Sequence, residues 1–342
     1  MSWRAQELFG TTIPVHWPGP ERPRVHVILD TEESFDWRGP FRREGFDLAA
    51  LRALPGFVRR LERFGIVPTC VVTYPVVDSA EGSAILRELA ADGRIEVGAH
   101  LHPWVNPPHL EPLGPRTSFA GNLAPELEAA KLAALSARIG ETLGVCAEVY
   151  KAGRYGLGPA TAATLVRLGY RVDTSGYPHR DFSSEGGPDF RAMPERPFRF
   201  GPGARLLELP MSCGLLGPLA RSSALAASLE SARGRRPGLA GAFARMRLLR
   251  RVTLTPEGFE LPDLLRLARA LVARGHRVLC LSLHSPSLAP GNTPYAPDAR
   301  ACAALLAKVE AILEGLLGEL AGTPSTARGL LRELEAAEGA GS

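Results

Sequence analysis

The chain has 342 residues, of which 45% are hydrophobic and 22% charged, with a formal net charge of +4. That length buries a large core, in one barrel-sized domain or two smaller ones, and the composition is that of an ordinary soluble globular protein. So mild a charge excludes an overall-charge argument for nucleic acid, and no apolar run approaches the ~20 residues of a membrane span.

Cys70, Cys146, Cys213, Cys280 and Cys302 are scattered, odd in number and free of CxxC spacing. Most sit among apolar residues, which fits reduced core cysteines better than a disulfide framework or zinc knuckle. The first residues lack a basic segment leading into an apolar one, so no signal peptide is expected and the default location is cytoplasmic.

Apolar and β-branched runs predict seven strands, at Val25–Leu29, Val67–Val72, Ile95–Ala99, Glu148–Tyr150, Arg171–Asp173, Arg205–Leu209 and Arg277–Leu283. Helical patterns fall between most of them, at Leu48–Phe64, Ser83–Asp92, Pro125–Leu143, Pro159–Leu168 and Leu261–Arg274. Asp47 precedes one helix, Pro125 and Pro159 begin others, and Gly65, Gly169 and Gly275 follow helix ends. This alternation predicts a parallel sheet covered by helices. An incomplete barrel competes with an open doubly wound sheet. Polar clusters at the ends of many different strands favour the barrel, because an open sheet gathers its site at one switch point.

Met211 to Arg251 breaks the rhythm, with Arg221, Arg233, Arg235, Arg236, Arg245, Arg247, Arg250 and Arg251 against a single acid, Glu230. It is expected to insert one or two helices over the barrel mouth, within about residues 211–260. An amphipathic helix is expected over Ala299–Leu320, and a frayed end from Ala336 to Ser342. The Arg-rich stretch is read as a face for anionic glycans or an anionic membrane surface, with solvated helix faces in an Arg-rich coding background weighed equally. Lysine is confined to Lys131, Lys151 and Lys308.

Four polar clusters carry the chemistry. The first strand runs into Asp30-Thr31-Glu32-Glu33, and continued alternation puts Asp30 and Glu32 on one side with Thr31 and Glu33 opposite. Two acids facing one cavity need a cation between them or a shared proton; alone, Glu32 and Glu33 would read as the start of a solvated loop. The third strand runs into His100-Leu101-His102-Pro103-Trp104, where imidazoles two residues apart can share one divalent ion and Trp104 can wall a cavity. His109 is a substitute for one of them. Two histidines and a carboxylate leave positions open for water and substrate, a catalytic rather than a structural set. Lys151-Ala152-Gly153-Arg154-Tyr155 supplies cations at the fourth strand end, one of which would hold Asp30 ionised as a base. His284, ending a very apolar last strand, is a reasonable general acid.

These clusters, in this order, resemble the polysaccharide deacetylases of the NodB-homology type, a carbohydrate esterase superfamily. Asp30-Thr31-Glu32-Glu33 is similar to the first motif, His100-Leu101-His102-Pro103-Trp104 to the second, Tyr150-Lys151-Ala152-Gly153-Arg154 to the third, Asp173-Thr174-Ser175 to the fourth and Leu283-His284-Ser285-Pro286 to the fifth. The strings Gly98–Pro108 and His284–Tyr295 are similar to a WalW-like branch associated with bacterial cell-surface polysaccharide genes. The resemblance spans about Arg24 to Pro297.

It implies a single domain built on a distorted (β/α)7 barrel, a divalent metal (Zn²⁺ first, Co²⁺ or another ion otherwise) and removal of acetyl groups from acetylated sugars. By position, Asp30 is the base, Glu32 and His100 metal ligands, Lys151 the cation that orients the base, and His284 the acid. Trp104, Arg154, Tyr155 and Asp173 are expected against substrate. Three departures stand out: Glu32 replaces the usual aspartate, Lys151 the usual arginine, and Trp104 stands where the second histidine falls, so that His102 serves as ligand or the set is rebuilt. The expected partner is an acetylated glycan or glycolipid precursor. A metal-dependent amidohydrolase of a non-sugar amide, and a catalytically silent glycan-pathway binding protein, are the alternatives.

Overall fold

In the computed structural model, residues 2–17, 22–36, 39–221 and 249–340 are described. The strands in chain order are β1 (Ile13–Pro14), β2 (Arg24–Thr31), β3 (Thr69–Val72), β4 (Glu96–Leu101), β5 (Val149–Ala152) and β6 (Val172–Asp173). They continue with β7 (Phe198–Phe200), β8 (Leu206–Glu208), β9 (Cys213–Leu216), β10 (Arg250–Thr253), β11 (Val278–His284) and β12 (Thr323–Pro324). All seven expected strands are present, and they form the parallel run β8-β6-β5-β4-β3-β2-β11. The fold is therefore α/β with a mostly parallel, barrel-like sheet.

Strand pairing does not close the barrel between β11 and β8. Single hydrogen bonds span part of the gap instead: Cys280 N–H donates to Ser212 Oγ (2.8 Å), and Ser282 N–H to the Leu254 carbonyl (3.2 Å). The ribbon β9–β10, antiparallel with Thr253 opposite Cys213, flanks this seam. Of the Arg-rich insertion, residues 222–248 lie outside the described residues, so its expected helices and membrane face do too.

Helices cover the outside with one apolar stripe each. Leu54, Phe57, Val58 and Leu61 are the buried face of the helix Leu54–Glu62, at helical spacing. The helix expected over Leu48–Phe64 begins as a 3₁₀ turn, Ala49–Ala53. Pro55 lacks the N–H that would extend an α ladder backwards, so the α-helix starts around it. Gly65, Gly169 and Gly275 all have positive φ, the backbone sense a helix-ending residue needs before a new strand.

The far C-terminus departs from expectation. Residues 336–340 are not frayed; they belong to a helix, Ala327–Ala340. Ala327, Leu330, Leu331 and Leu334 pack against Ile28, Val71, Val149, Val172 and Leu207, the inward residues of five strands. Glu96, at the start of β4, accepts hydrogen bonds from Thr326 Oγ1 and Arg328 N–H, and Arg24, at the start of β2, pairs with Glu333. This helix stoppers the N-terminal end of the barrel, leaving the C-terminal end for chemistry. Each leucine it buries contributes roughly 1.5–3 kcal/mol. Cys70, Cys213, Cys280 and Cys302 are free and buried, as expected of most of the five, and Cys146 is free and exposed.

Candidate active site

Strand register sets the frame. His284 of β11 is level with Asp30 of β2, and His100 of β4 with Lys151 of β5. Four residues distant in sequence thus meet at one end of the barrel because parallel pairing aligns the strand ends.

Glu32, His100 and His102 form one buried cluster of candidate metal ligands. Their Nε2 atoms lie 3.4 Å (His100) and 3.3 Å (His102) from Glu32 Oε2. The other ring nitrogens are committed. His100 Nδ1–H donates to the Lys151 carbonyl (2.9 Å) and His102 Nδ1–H to Glu33 Oε1 (2.7 Å). Both acceptors lack a proton to give, which fixes each neutral ring with its Nε2 lone pair facing Glu32. Donors on one tetrahedral Zn²⁺ stand roughly 3.3 Å apart, so donor type, tautomer and spacing all suit a divalent ion. Burial pushes the His100 pKa down to about 4, which keeps that ring neutral, and pushes Glu32 up to about 7. A cation among them would relieve the cost of the buried carboxylate.

Glu33 is not a loop acid. Beyond Thr31 the strand ends and alternation lapses, so Glu33 turns towards His102 rather than away, fully buried, with Thr73 Oγ1 also donating to it (2.9 Å). Burial raises its pKa, but His102 and these hydrogen bonds outweigh that and hold it low. Gly153 makes room for the His102 ring, since a Cβ there would stand 2.4 Å from His102 Cδ2. Trp104 stacks on His102 with ring centroids 4.3 Å apart. It faces a separate side cavity of about 460 Å³ with Phe35, Phe41 and Phe46. His109 is exposed on the following loop and does not join the cluster. Lys131 anchors that loop: buried, its ammonium donates to the carbonyls of Pro103, Asn106 and Pro108.

Asp30 sits beside the cluster, 2% exposed, with Lys151 Nζ 2.7 Å from both of its oxygens. Burial alone would raise the Asp30 pKa; the ammonium reverses the direction and holds the carboxylate ionised. His284 Nε2 is 3.5 Å from Asp30 Oδ2, while its Nδ1–H donates to Glu257 Oε2 (2.6 Å). Burial disfavours the imidazolium, but Glu257, then Glu32 and Asp30, push the His284 pKa up to about 10. Glu257 escaped the sequence reading because an acid in Thr255-Pro256-Glu257-Gly258 looks like a solvated turn. Lys308 Nζ fixes that turn through the carbonyls of Pro256 (3.1 Å) and Phe259 (2.9 Å).

One cavity of about 600 Å³ exposes Asp30, Glu32, His100, His102, Lys151, Glu257 and His284 together, with Arg154, Tyr155, Tyr177, Arg180 and Tyr295 on its walls. Arg154, which like Tyr155 has positive φ in a tight turn, is ion-paired with Glu185 and laid over the Phe119 ring. Asp173 does not line this cavity. It is wholly buried, with Ser175 donating to it, and burial pushes it up to about 6 and its neighbour Glu208 well above the carboxylate range. The resemblance, through its fourth motif, made Asp173 an expected substrate contact; here its carboxylate is enclosed beside Ser175 and Glu208 instead.

No family profile matches the sequence, and no curated protein does. Among solved structures the chain is similar to PuuE allantoinase (14% identity, 96% of each chain, TM-score 0.54). It is also similar to 4-alpha-glucanotransferase from Thermococcus litoralis (12% identity, 92% of this chain and 40% of that one, TM-score 0.52). A protein described as a polysaccharide deacetylase, from Mycobacterium smegmatis, is similar at 16% identity over 93% of this chain and 98% of that one (TM-score 0.48). At these identities the first two likenesses establish a shared fold.

Proposed function

We propose that this chain is a divalent-metal-dependent hydrolase, in one barrel domain, that removes acetyl groups from N-acetylated sugars of a bacterial cell-surface polysaccharide or its precursor. One observation carries the reading: two imidazole lone pairs and a carboxylate converge in the cavity wall beside a carboxylate–ammonium pair and a histidine backed by a second carboxylate, Glu257. Motif order, in the NodB-type sequence pattern with its WalW-like strings, supports the choice of an acetylated sugar.

Glu32, His100 and His102 would hold the ion, with Zn²⁺ the best match to two imidazoles and one carboxylate. When bound, it supplies Lewis acidity, polarising a carbonyl and acidifying water. Asp30, kept ionised by Lys151, takes the proton of the attacking water. His284 carries its proton at Nε2, towards the cavity, because Glu257 holds Nδ1–H from behind; it delivers that proton to the departing nitrogen. Glu33 and the Lys151 carbonyl keep the two ligand rings aimed. Tyr155 and Tyr177 pack together on the cavity wall, Tyr177 with its hydroxyl on Thr253 Oγ1 (2.6 Å), and the exposed Tyr295 offers a ring face to a sugar. Location is read as cytoplasmic or peripheral at the inner membrane; among the described residues no helix is long and apolar enough to cross a membrane.

The test joins metal analysis of the purified protein to acetate release from N-acetylhexosamine glycans. Release that depends on Zn²⁺ or Co²⁺ is expected; a protein that takes up neither ion refutes the reading. A non-sugar amide is the second reading, favoured by a cavity of about 600 Å³, the size of a small-molecule site. Turnover of small amides without acetate release from any glycan would select it.

A further inference from the structure

The charges on the cavity wall pair off, with one exception. Asp30 has Lys151, Arg154 has Glu185, His284 has Glu257, and Glu32 has the two imidazoles. Arg180 lines the same cavity with no carboxylate partner among the described residues, and its buried Nε has no acceptor. Acids close to it in sequence are already engaged: Asp181 with Arg191, and Glu185 with Arg154.

The side chain is nevertheless placed. Its backbone is pinned by Arg180 N–H to the Tyr177 carbonyl (3.2 Å) and by Phe190 N–H to its own carbonyl (2.8 Å). Its guanidinium rests over the rings of Tyr177 (5.3 Å) and Phe182 (5.1 Å). Stacking on two rings leaves only the edge of the fork free to donate, and the planar fork matches a carboxylate or a phosphate bidentately. Tyr155 ties this cation to the catalytic end: Lys151 Nζ lies 5.4 Å from its ring centroid, and that ring packs 4.8 Å from Tyr177, which the Arg180 guanidinium covers. A half-buried, oriented arginine that meets no carboxylate among the described residues is costly on a cavity wall unless an anion completes it.

We infer that Arg180 is an anion subsite, so that the sugar acted on carries a carboxylate or phosphate group near its acetyl group. This rests on the deacetylase reading and narrows its substrate class to acidic acetylated sugars. Tyr177 and Phe182 are positioning residues for the guanidinium.

The test uses the full-length, metal-loaded protein and three probes: a neutral disaccharide of N-acetylglucosamine, a disaccharide pairing N-acetylglucosamine with glucuronate, and N-acetylglucosamine 6-phosphate. Calorimetric binding and acetate release are both followed. At least one acidic probe is expected to bind roughly 10- to 100-fold more tightly than the neutral one, the range of a charge-assisted hydrogen bond. Arg180→Gln removes that preference mainly through KM, Arg180→Lys restores part of it, and the carboxylate and phosphate arms show which anion is read. Equal binding of all three probes, or a loss in Arg180→Gln that is the same for each, overturns the inference. Arg180-dependent binding of an acidic probe with no acetate release from any probe would instead refute deacetylation and leave the anion subsite standing.

Discussion

Lys151 Nζ lies 2.7 Å from both carboxylate oxygens of Asp30 and 3.2 Å from Ser282 Oγ, bridging β5, β2 and β11 across the barrel interior. A compact ammonium suits a fully enclosed position that must serve three oxygens on two strands. Lys131 and Lys308 do comparable work behind the two site loops, where one cation gathers several carbonyls. In a chain that otherwise takes its permanent positive charge from arginine, its three lysines stand at multidentate sites.

Lys151→Met should abolish most turnover, by 100-fold or more (order of magnitude), since Asp30 then faces the cavity without its cation and protonates more readily. Removing one partner of a buried pair also costs about 3–5 kcal/mol of stability. Steady-state rates and urea melts check the two effects separately. Asp30→Asn should keep the metal and lose turnover, and an active, metal-replete Asp30→Asn protein would remove Asp30 from the reaction.

Glu33→Gln should weaken Zn²⁺ binding by roughly 10–100-fold, the usual cost of losing the partner behind a ligating imidazole. Glu33 is barred from the ion by its position behind His102, so the effect reports ring orientation rather than a lost ligand. Competition against a chromophoric chelator measures it. Unchanged affinity would mean that stacking on Trp104 suffices to aim His102.

Glu257→Gln should lower kcat and move the alkaline limb of the rate profile to lower pH. His284 is raised to about 10 in the folded protein, so the acid form persists below that value and is lost as pH climbs through it. Glu257 is the main support of that shift, and without it the imidazole returns towards its ordinary range. The same sign holds for stability, where the His284 contribution is complete below pH 6.5 and disappears as pH rises through about 10. A pH profile that does not move in Glu257→Gln would exclude this role.

Glu128 gives a prediction independent of the site. It is buried under Thr161, which donates to it, and burial raises its pKa from 4.5 to about 7. The folded protein then keeps a proton that the unfolded chain sheds, so stability falls as pH rises from 4.5 to about 7 and is level beyond. Glu128→Gln lacks this loss and should gain about 3 kcal/mol on the parent protein across that interval. Paired denaturant melts at pH 4.5 and 8 test it; parallel curves would show that Glu128 ionises normally.

By itself the sequence determined the seven parallel strands, most of the helices between them and the residues that gather at one end. These features are local: apolar and β-branched runs, helical stripes, and glycines where the chain must turn left-handed. Trp104, from its place after a strand end, and Asp173, from the motif it resembles, were both expected against substrate, because a pattern says where a side chain starts and not what it meets. Only the packed structure put Trp104 against His102, enclosed Asp173 beside Glu208, and brought Glu257 from an ordinary-looking turn to His284. It alone showed that the last helix closes the opposite end of the barrel, and that Arg180 meets no carboxylate among the described residues. Burial and charge compensation are sums over neighbours distant in the chain, and they acquire values only once those neighbours have been assembled.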